Sequence, residues 1–233
     1  MGSKSRIAKD ILRIILKDYT PDKWYVEPFA GGMNTIDKFS VDGRIIANDS
    51  NLYLIEMWRC ILNGWIPEKV DREMYNDIRD NKEKYPPNLV GWVGFNCSYS
   101  GKYFGGFAGE TKTKINTVRD YQKEAIKNVL KQASKMKNVI LTNTDYLLLD
   151  IPFKSIVYCD PPYEGTTEYK DKFNHNTFWD WVRQISKSHQ VFISEYKAPP
   201  DFKCIWSKKV NSSLSANGKV GSNKESIEKL FTI

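Results

Sequence analysis

The pattern of apolar and polar residues along the chain changes repeatedly between the period of a strand and that of a helix. Short apolar runs, typical of buried strands, occupy residues 24–26, 44–47, 139–145, 156–159 and 190–196. Apolar residues recur every three or four positions, as in amphipathic helices, in residues 5–17, 52–62, 117–136 and 178–188. This alternation predicts an open α/β sheet that is mostly parallel, and residues 202–210 and 228–233 are expected to pair as a closing hairpin.

Residues 64–116 interrupt the alternation. The stretch 91–107 contains six aromatic residues among five glycines. It is too rich in glycine for a helix, so loops and hairpins with exposed rings are expected, although a compact loop that buries its own rings is an equal alternative. The predicted organisation is one α/β domain formed by residues 1–63 and 138–233, with an inserted region at 64–137.

The composition narrows the class of protein. A chain of 233 residues that is 41% apolar suits one globular domain, and a net charge of +7 suits an anionic partner. The four cysteines are far apart, without the close pairs of a zinc or redox site, so a reduced, cytoplasmic protein without a metal is expected. No apolar run approaches about 18 residues, so the chain is expected to be neither secreted nor membrane-spanning.

Most of the net positive charge comes from one segment. Residues 102–138 contain nine Lys or Arg and three Asp or Glu, which gives 9 − 3 = +6. The helix predicted over 117–136 carries a row of lysines, namely Lys123, Lys127, Lys131 and Lys135. Such a row is more often only a solvated helix face, but beside the aromatic stretch it favours a surface that follows nucleic-acid phosphates.

The most informative stretch is Asp160-Pro161-Pro162-Tyr163, directly after the apolar run 156–159. Two prolines cannot donate to a sheet ladder, so the strand must end at Asp160. A residue before proline is held extended, which fixes the Asp160 carboxylate and the carbonyls of Asp160 and Pro161 as acceptors beside the Tyr163 ring. A planar amine would fit these groups, and a strand-ending turn with a capping Asp fits them equally well.

A glycine turn follows the first strand, in Glu27-Pro28-Phe29-Ala30-Gly31-Gly32-Met33-Asn34. Strand, tight turn and helix start allow the backbone to approach a nucleotide-like ligand, although an ordinary strand-to-helix turn has the same sequence. Asp49 follows about 20 residues later, the spacing at which an acid reaches ribose hydroxyls. Asp49 could instead cap the next helix, as could Ser50 or Asn51.

Together these polar strand ends resemble the Dam-type DNA adenine-N6 methyltransferases, in particular their compact phage versions, over most of the chain. The residues that carry the resemblance are Glu27-Pro28-Phe29-Ala30-Gly31-Gly32, Asp49, Asp145 and Asp160-Pro161-Pro162-Tyr163. The resemblance implies a Rossmann-like methyltransferase sheet with a small inserted DNA-recognition subdomain. It also implies S-adenosylmethionine as cofactor, S-adenosylhomocysteine as product and no metal.

The resemblance assigns expected roles to individual residues. Asp49 is implied to bind ribose, Asp145 to bind adenine, and Lys4 to reach the cofactor carboxylate or a neighbouring DNA group. The full set of implied cofactor-binding residues is Lys4, Glu27, Phe29, Ala30, Gly31, Gly32, Met33, Asp49, Ser50, Asp145, Tyr146 and Asp160. The implied catalytic residues are Asp160, Pro161, Pro162 and Tyr163.

The implied reaction is methyl transfer to N6 of an adenine flipped out of double-stranded DNA, by a monomer or weak dimer. We expect base readout from residues 99–114. The expected DNA contacts are Tyr99, Lys102, Tyr103, Lys112, Lys114, Arg119, Lys123 and Lys127. A restriction-modification role is one possible setting. The alternatives are a cytosine-N4 methyltransferase, which more often has Ser at the first position of the catalytic motif, and a non-catalytic DNA-binding regulator with the same fold.

Overall fold

The computed structural model describes residues 4–39, 44–112, 116–163, 173–212 and 224–233. In these residues a seven-stranded sheet has the strand order β5-β2-β1-β6-β7-β9-β8, and β3 and β4 form a separate pair. The strands are β1 Trp24–Glu27, β2 Arg44–Asn48, β3 Glu110–Lys112, β4 Val118–Asp120, β5 Val139–Thr142, β6 Ile156–Cys159, β7 Gln190–Ser194, β8 Lys203–Ser212 and β9 Lys224–Thr232.

The first five strands of the large sheet are parallel, whereas β9 is antiparallel to both β7 and β8. This arrangement confirms the mostly parallel α/β sheet and the closing hairpin. The second strand of the hairpin, β9, lies between β7 and β8. It therefore belongs to the sheet interior, and it brings its side chains close to the end of β6.

The central strand β6 places the Asp160-Pro161-Pro162-Tyr163 motif at the carboxyl edge of the sheet. All four of its residues are buried, since β6 pairs with β1 on one side and β7 on the other. β-branched and aromatic residues suit such a strand, and the following prolines end the ladder. Asp160 is thus delivered to the carboxyl edge of the sheet.

Six α-helices accompany the strands in the described residues: α1 Ala8–Ile15, α2 Leu52–Leu62, α3 Arg72–Asp80, α4 Pro87–Gly91, α5 Tyr121–Ala133 and α6 His175–Ile185. The helix predicted over 117–136 is shorter than expected, because Val118–Asp120 pairs with β3 and Asp120 caps α5 by accepting from the Lys123 N–H at 3.0 Å. Val118, expected on the core face, is exposed. None of the helices in the described part of the chain is long and apolar enough to cross a bilayer.

The expectation of exposed rings in the segment 91–107 is wrong. Trp92 is fully buried and Phe95 is 7% exposed, within the π-helical turn Trp92–Asn96 that continues α4. The glycines permit close packing: a Cβ on Gly91 would stand 2.0 Å from the Tyr53 carbonyl oxygen of α2. Gly91 therefore allows α4 to pack closely against α2. In this segment only the ring of Tyr99, which is 63% exposed, faces solvent.

The predicted inserted region shares its core with the rest of the protein. Trp92 and Val129 belong to the same buried cluster as Ile11 of α1 and Ile55 of α2. The opposite face of the sheet is covered by α6, whose Phe178 packs on Val157 and its neighbours. The inserted region is consequently fixed against the face of the sheet that carries α1 and α2.

Candidate active site

The side chain of Asn48 ties three strand ends together at the carboxyl edge of the sheet. Its Nδ2 donates to the carbonyl oxygens of Pro28 and Thr144, both at 3.0 Å. Its Oδ1 accepts from the Thr142 hydroxyl at 2.9 Å and from the Thr144 N–H at 3.1 Å. Asn48 is fully buried, so these bonds fix the glycine turn and the segment of Asp145 relative to each other. In the sequence, Asn48 is a polar residue directly after the apolar run 44–47, a signal that could have indicated this role.

Asp49 holds the glycine turn and does not cap α2. Its Oδ2 accepts from the Gly31 N–H at 3.0 Å, and its Oδ1 accepts from the Asn51 N–H at 2.9 Å. The cap of α2 is Asn51, which accepts from the Leu54 N–H at 3.0 Å. Burial raises the pKa of Asp49, and the two N–H donors oppose that rise. The predicted ribose acid and the predicted cofactor turn therefore lie side by side.

The glycine turn leaves its backbone open. Gly31 has φ +50°, and apart from its chain neighbours no atom of the described residues lies within 4 Å of the place where its Cβ would be. That open, left-handed backbone allows a ligand to approach closely. The side chains of Met33 and Ala30 are buried, and their N–H groups donate to the carbonyl oxygens of Ala30 and Asn48, at 2.8 Å and 2.7 Å. From α5, the Gln132 amide donates to the carbonyls of Gly32 at 2.7 Å and Met33 at 3.0 Å.

An apolar surface lies next to Asp145. The rings of Phe29 and Tyr146 are 5.0 Å apart, and Phe173 packs against both at 5.8 Å. Asp145 is exposed and accepts from the Leu147 N–H at 2.9 Å, while Ser50 is exposed on the far side of Asp49. Flat rings beside an exposed carboxylate provide stacking and an acceptor, which suits a purine with an amino group.

Glu27 lies beneath the turn, inside the core. Its Oε1 accepts from the Tyr25 hydroxyl at 2.7 Å and from the Thr35 hydroxyl, and the residue is only 2% exposed. Burial raises the pKa of Glu27 to about 8, although these two hydrogen bonds act in the opposite direction. Its carboxyl group is thus occupied in supporting the turn and is neutral at pH 7.

Lys4, Asp160, Tyr163 and Glu228 form one cluster at the end of β6, which we call the lysine cluster. Lys4 Nζ lies 3.1 Å from Asp160 Oδ1 and 3.2 Å from Glu228 Oε2. The Tyr163 hydroxyl donates to Glu228 Oε2 at 2.9 Å, and Lys4 Nζ lies 4.3 Å from the centre of the Tyr163 ring. Asp160 and Tyr163 are brought together as predicted, and Lys4 contacts both.

Burial and charge act against each other in the lysine cluster. Burial raises the pKa of Asp160, and the Lys4 ammonium opposes that rise. Burial alone would lower the pKa of Lys4, but Asp160 and Glu228 raise it overall. Burial and the two carboxylates raise the pKa of Tyr163 well above its ordinary value. Lys4 therefore remains a cation that favours the ionised form of Asp160.

Glu228 and Tyr196 are members of this site that sequence reasoning missed. Glu228 comes from β9, whose place between β7 and β8 puts its carboxylate beside Lys4. Tyr196, just after β7, packs its ring at 85° to Tyr163 with ring centres 4.7 Å apart. Glu228 stands in no local pattern that indicates this position, since its place depends on strand order, whereas Tyr196 ends the strand predicted over 190–196.

Residues 1–91 and 72–199 match the model of the D12 class N6 adenine-specific DNA methyltransferase family. The chain belongs to this family. The match confirms the resemblance drawn from the motifs, and the reaction of the family transfers a methyl group from S-adenosylmethionine to N6 of adenine in DNA.

Two solved structures are similar to this chain. SMU.472, a candidate methyltransferase in complex with SAH, has 13% sequence identity and a TM-score of 0.39; the match covers 98% of this chain and 52% of that one, so the chain spans about half of its length. The candidate methylase HI0767 from Haemophilus influenzae has 11% identity and a TM-score of 0.37, over 98% of this chain and 97% of that one. No curated protein sequence matches the chain.

The basic side chains expected to contact DNA lie at the surface of the chain. Those that are exposed are Lys102, Lys112, Arg119, Lys123 and Lys127, together with the ring of Tyr99, whereas Lys114 lies outside the described residues. Tyr103 differs from the expectation of an exposed ring. It packs between Phe95 and Phe104, with ring centres at 4.7 Å and 4.8 Å, and burial raises its pKa to about 12.

The described residues of the chain contain no group of three or more His, Cys, Asp or Glu side chains that could hold a metal ion. All four cysteines are unpaired.

Proposed function

We propose that the lysine cluster is the methyl-transfer site, where the Asp160 carboxylate receives the amino group of a flipped adenine of double-stranded DNA. The observation that carries this proposal is the contact between Lys4 and Asp160 at 3.1 Å. A buried carboxylate is driven towards its neutral form, and a neutral acid would be a weaker acceptor for an amino group. The buried ammonium of Lys4 supplies the charge that keeps Asp160 available as an acceptor.

The cofactor side of the site is formed by the glycine turn, Asp49 and the rings near Asp145. The open backbone at Gly31 suits an amino acid moiety, Asp49 suits ribose hydroxyls, and Phe29 with Tyr146 suits an adenine ring. S-adenosylmethionine, when bound, supplies an electrophilic methyl group on a sulfonium. Glu27 acts from below by holding Thr35 and Tyr25, so its role is to position the turn.

The substrate side offers a fixed aromatic ring. Flipping an adenine out of the duplex costs a few kcal/mol, and stacking on a ring such as Tyr163 returns about 1–3 kcal/mol per base. The Tyr163 ring is held by its bond to Glu228 and by the Tyr196 ring, which packs at 85° to it. Lys4 covers one face of the ring, so a stacked base takes the opposite face or displaces the ammonium.

Asp160 and the carbonyls of Asp160 and Pro161 then act on the amino nitrogen. The N6 lone pair is conjugated with the purine ring, and two N–H bonds drawn to fixed acceptors favour a pyramidal nitrogen whose lone pair is free. Positive charge develops on this nitrogen during transfer, and a preorganised carboxylate stabilises it. Asp160 accepts the amino proton that is lost.

The inserted region, residues 64–137, is proposed to choose the DNA site, with Lys123 and Lys127 on phosphates and Tyr99 near the bases. Its exposed surface carries most of the net positive charge of the chain. The expected substrate is DNA in the cytoplasm, either chromosomal or invading. A DNA-binding regulator that lacks activity is the second candidate, and it shares every feature of this surface.

The decisive experiment measures transfer of tritium from labelled S-adenosylmethionine to duplex DNA. The wild-type chain should label the DNA at adenine N6, while Asp160→Ala should not label it and should still bind the cofactor by calorimetry. Labelling by Asp160→Ala at the wild-type rate would overturn the assignment of Asp160. DNA binding without any labelling by the wild type would favour the regulator.

A further inference from the structure

A cavity of ≈ 480 Å³ lies between the glycine turn, α2, the segment 95–101 and α5, and the reaction described above does not use it. Its volume is within the range of small-molecule sites, about 300–1,000 Å³. Its wall includes Gly32 and Asn34 of the turn but none of Asp49, Asp145 or Asp160. It is therefore a separate space, on the side of the turn that faces the inserted region.

One wall of the cavity includes Trp58 of α2, which is 2% exposed. Its Nε1–H is buried and has no hydrogen-bond partner among the described residues. Buried indole N–H groups are usually paired, because an unmade bond costs about 1–3 kcal/mol. A ligand with an acceptor atom in its ring plane would satisfy this donor.

The other walls favour a flat, polar ring. Phe95, Tyr99 and Tyr121 contribute aromatic surface, and the Asn96 and Asn128 amides contribute donors and acceptors. Nucleobases are planar, carry acceptors at their edges and stack on aromatic side chains with about 1–3 kcal/mol per base. The lining is thus suited to a nucleobase better than to an aliphatic or fully charged ligand.

Arg119 is the one Lys or Arg among the described residues that line the cavity. It is exposed, its Cζ lies 4.6 Å from the centre of the Tyr121 ring, and it forms an ion pair with Glu124 at 2.8 Å. Lys123 and Lys127 are exposed on the same helix as the lining residue Asn128. A phosphate attached to a base in the cavity would thus meet positive charge at the rim.

We propose that this cavity binds a nucleobase of the DNA substrate other than the target adenine, unstacked from the duplex, with its acceptor on Trp58 Nε1–H and its phosphate at Arg119. That the polymer is DNA rests on the proposed function. Gln132 lines the cavity and donates to the carbonyls of Gly32 and Met33. A base in the cavity therefore touches the same side chain that fixes the cofactor turn.

The test follows the indole N–H resonances of the ¹⁵N-labelled full chain. The Trp58 resonance is the one that Trp58→Phe removes. It should shift in a saturable manner when a duplex is added, and Trp58→Phe should weaken duplex binding about fivefold, the order of one hydrogen bond. Trp65→Phe is the matched control, because Trp65 does not line the cavity, and it should bind the duplex like the wild type.

A second pair of variants keeps the test independent of the folding of Trp58→Phe. Asn128→Phe, from an exposed lining position, should fill the cavity and abolish the shift of the Trp58 resonance, whereas Ser134→Phe at the end of the same helix should leave it unchanged. A Trp58 resonance that no duplex moves, or that moves only with free deoxynucleotides, would overturn the proposal.

The methyl-transfer assay and the Trp58 resonance distinguish failure of the cavity proposal from failure of the methyl-transfer proposal. Asp160→Ala should lose methyl transfer and retain the Trp58 shift with the duplex. Methyl transfer by the wild type without any Trp58 shift refutes the cavity alone. A Trp58 shift in a wild type that transfers no methyl supports the cavity and refutes the enzymatic role.

Discussion

Lys4 Nζ lies 3.1 Å from Asp160 Oδ1, so the first described residue of the chain is bound to the aspartate of the catalytic motif. Both side chains are largely buried, at 10% and 21% exposure. In such surroundings an ion pair acts more strongly than at the surface, and either partner left alone is costly. The protonation of Asp160 therefore depends on Lys4.

Removing Lys4 should move the acid limb of the pH–rate profile. In Lys4→Met, burial and Glu228 both raise the pKa of Asp160 without the opposing ammonium, so ionisation requires a higher pH. We expect kcat/KM to fall at neutral pH and to recover partly at alkaline pH. Lys9→Met is the control, since Lys9 is exposed on α1. An unchanged acid limb in Lys4→Met would contradict this coupling.

Glu228 should act through the orientation of Tyr163. Glu228→Gln keeps an acceptor for the Tyr163 hydroxyl and should retain more activity than Glu228→Ala. Tyr163→Phe keeps the ring and should lose about fivefold in kcat/KM, the order of one hydrogen bond. If the two residues act together, Tyr163→Phe added to Glu228→Ala should cost little more. Additive losses in this double-mutant cycle would argue against a shared role.

The lysine row on α5 should account for part of the salt dependence of DNA binding. Replacing Lys123, Lys127 and Lys131 by Gln should weaken binding to all sequences and reduce the slope of log K against log salt by about 0.9 for each true phosphate contact. The control replaces Lys17, Lys187 and Lys203, which are exposed and lie outside the inserted region. Equal slopes for the two triple variants would identify the row as an ordinary solvated helix face.

Glu27 should make the protein less stable as the pH rises. Its pKa is about 8 in the folded chain against an ordinary value of 4.5, so between these values the folded state holds a proton that the unfolded state has lost. This contribution is fully present below pH 4.5 and is lost as the pH rises through about 8. The slope it adds is at most about −1.4 kcal/mol per pH unit.

The measurement for Glu27 is the free energy of unfolding in urea from pH 5 to pH 9. Glu27→Gln keeps an oxygen for the Tyr25 and Thr35 hydroxyls and removes the titration, so its stability should vary less over this range. Parallel pH profiles for the wild type and the Glu27→Gln variant would show that Glu27 does not titrate there.

The sequence predicts the strand ends well because their causes are local. Because two prolines follow the apolar run 156–159, the strand must end at Asp160. Short apolar runs also predict the parallel strands beside it. The proximity of Asp49 to Gly31 was also predictable from spacing, since neighbouring parallel strands end at one edge.

The sequence does not predict the role of a residue whose contacts are distant along the chain. Gly91 looks like a loop residue, and only the backbone of Tyr53 shows that it permits two helices to touch. Glu228 looks like one more charge on an amphipathic strand. Its role at the site depends on the insertion of β9 between β7 and β8, a matter of strand order that no local pattern records.

The position of β9 near the end of the chain also determines when the site can be completed during synthesis. When the ribosome has made the chain as far as Ser194, it has made the residues of all five parallel strands, together with those of the glycine turn, Asp49 and Asp160. The lysine cluster is still incomplete, because Glu228 has not yet been made. The nascent chain thus has most of the sheet before it has a finished site, and the closing step is the pairing of β9 with β7, with β8 on the outer side of β9.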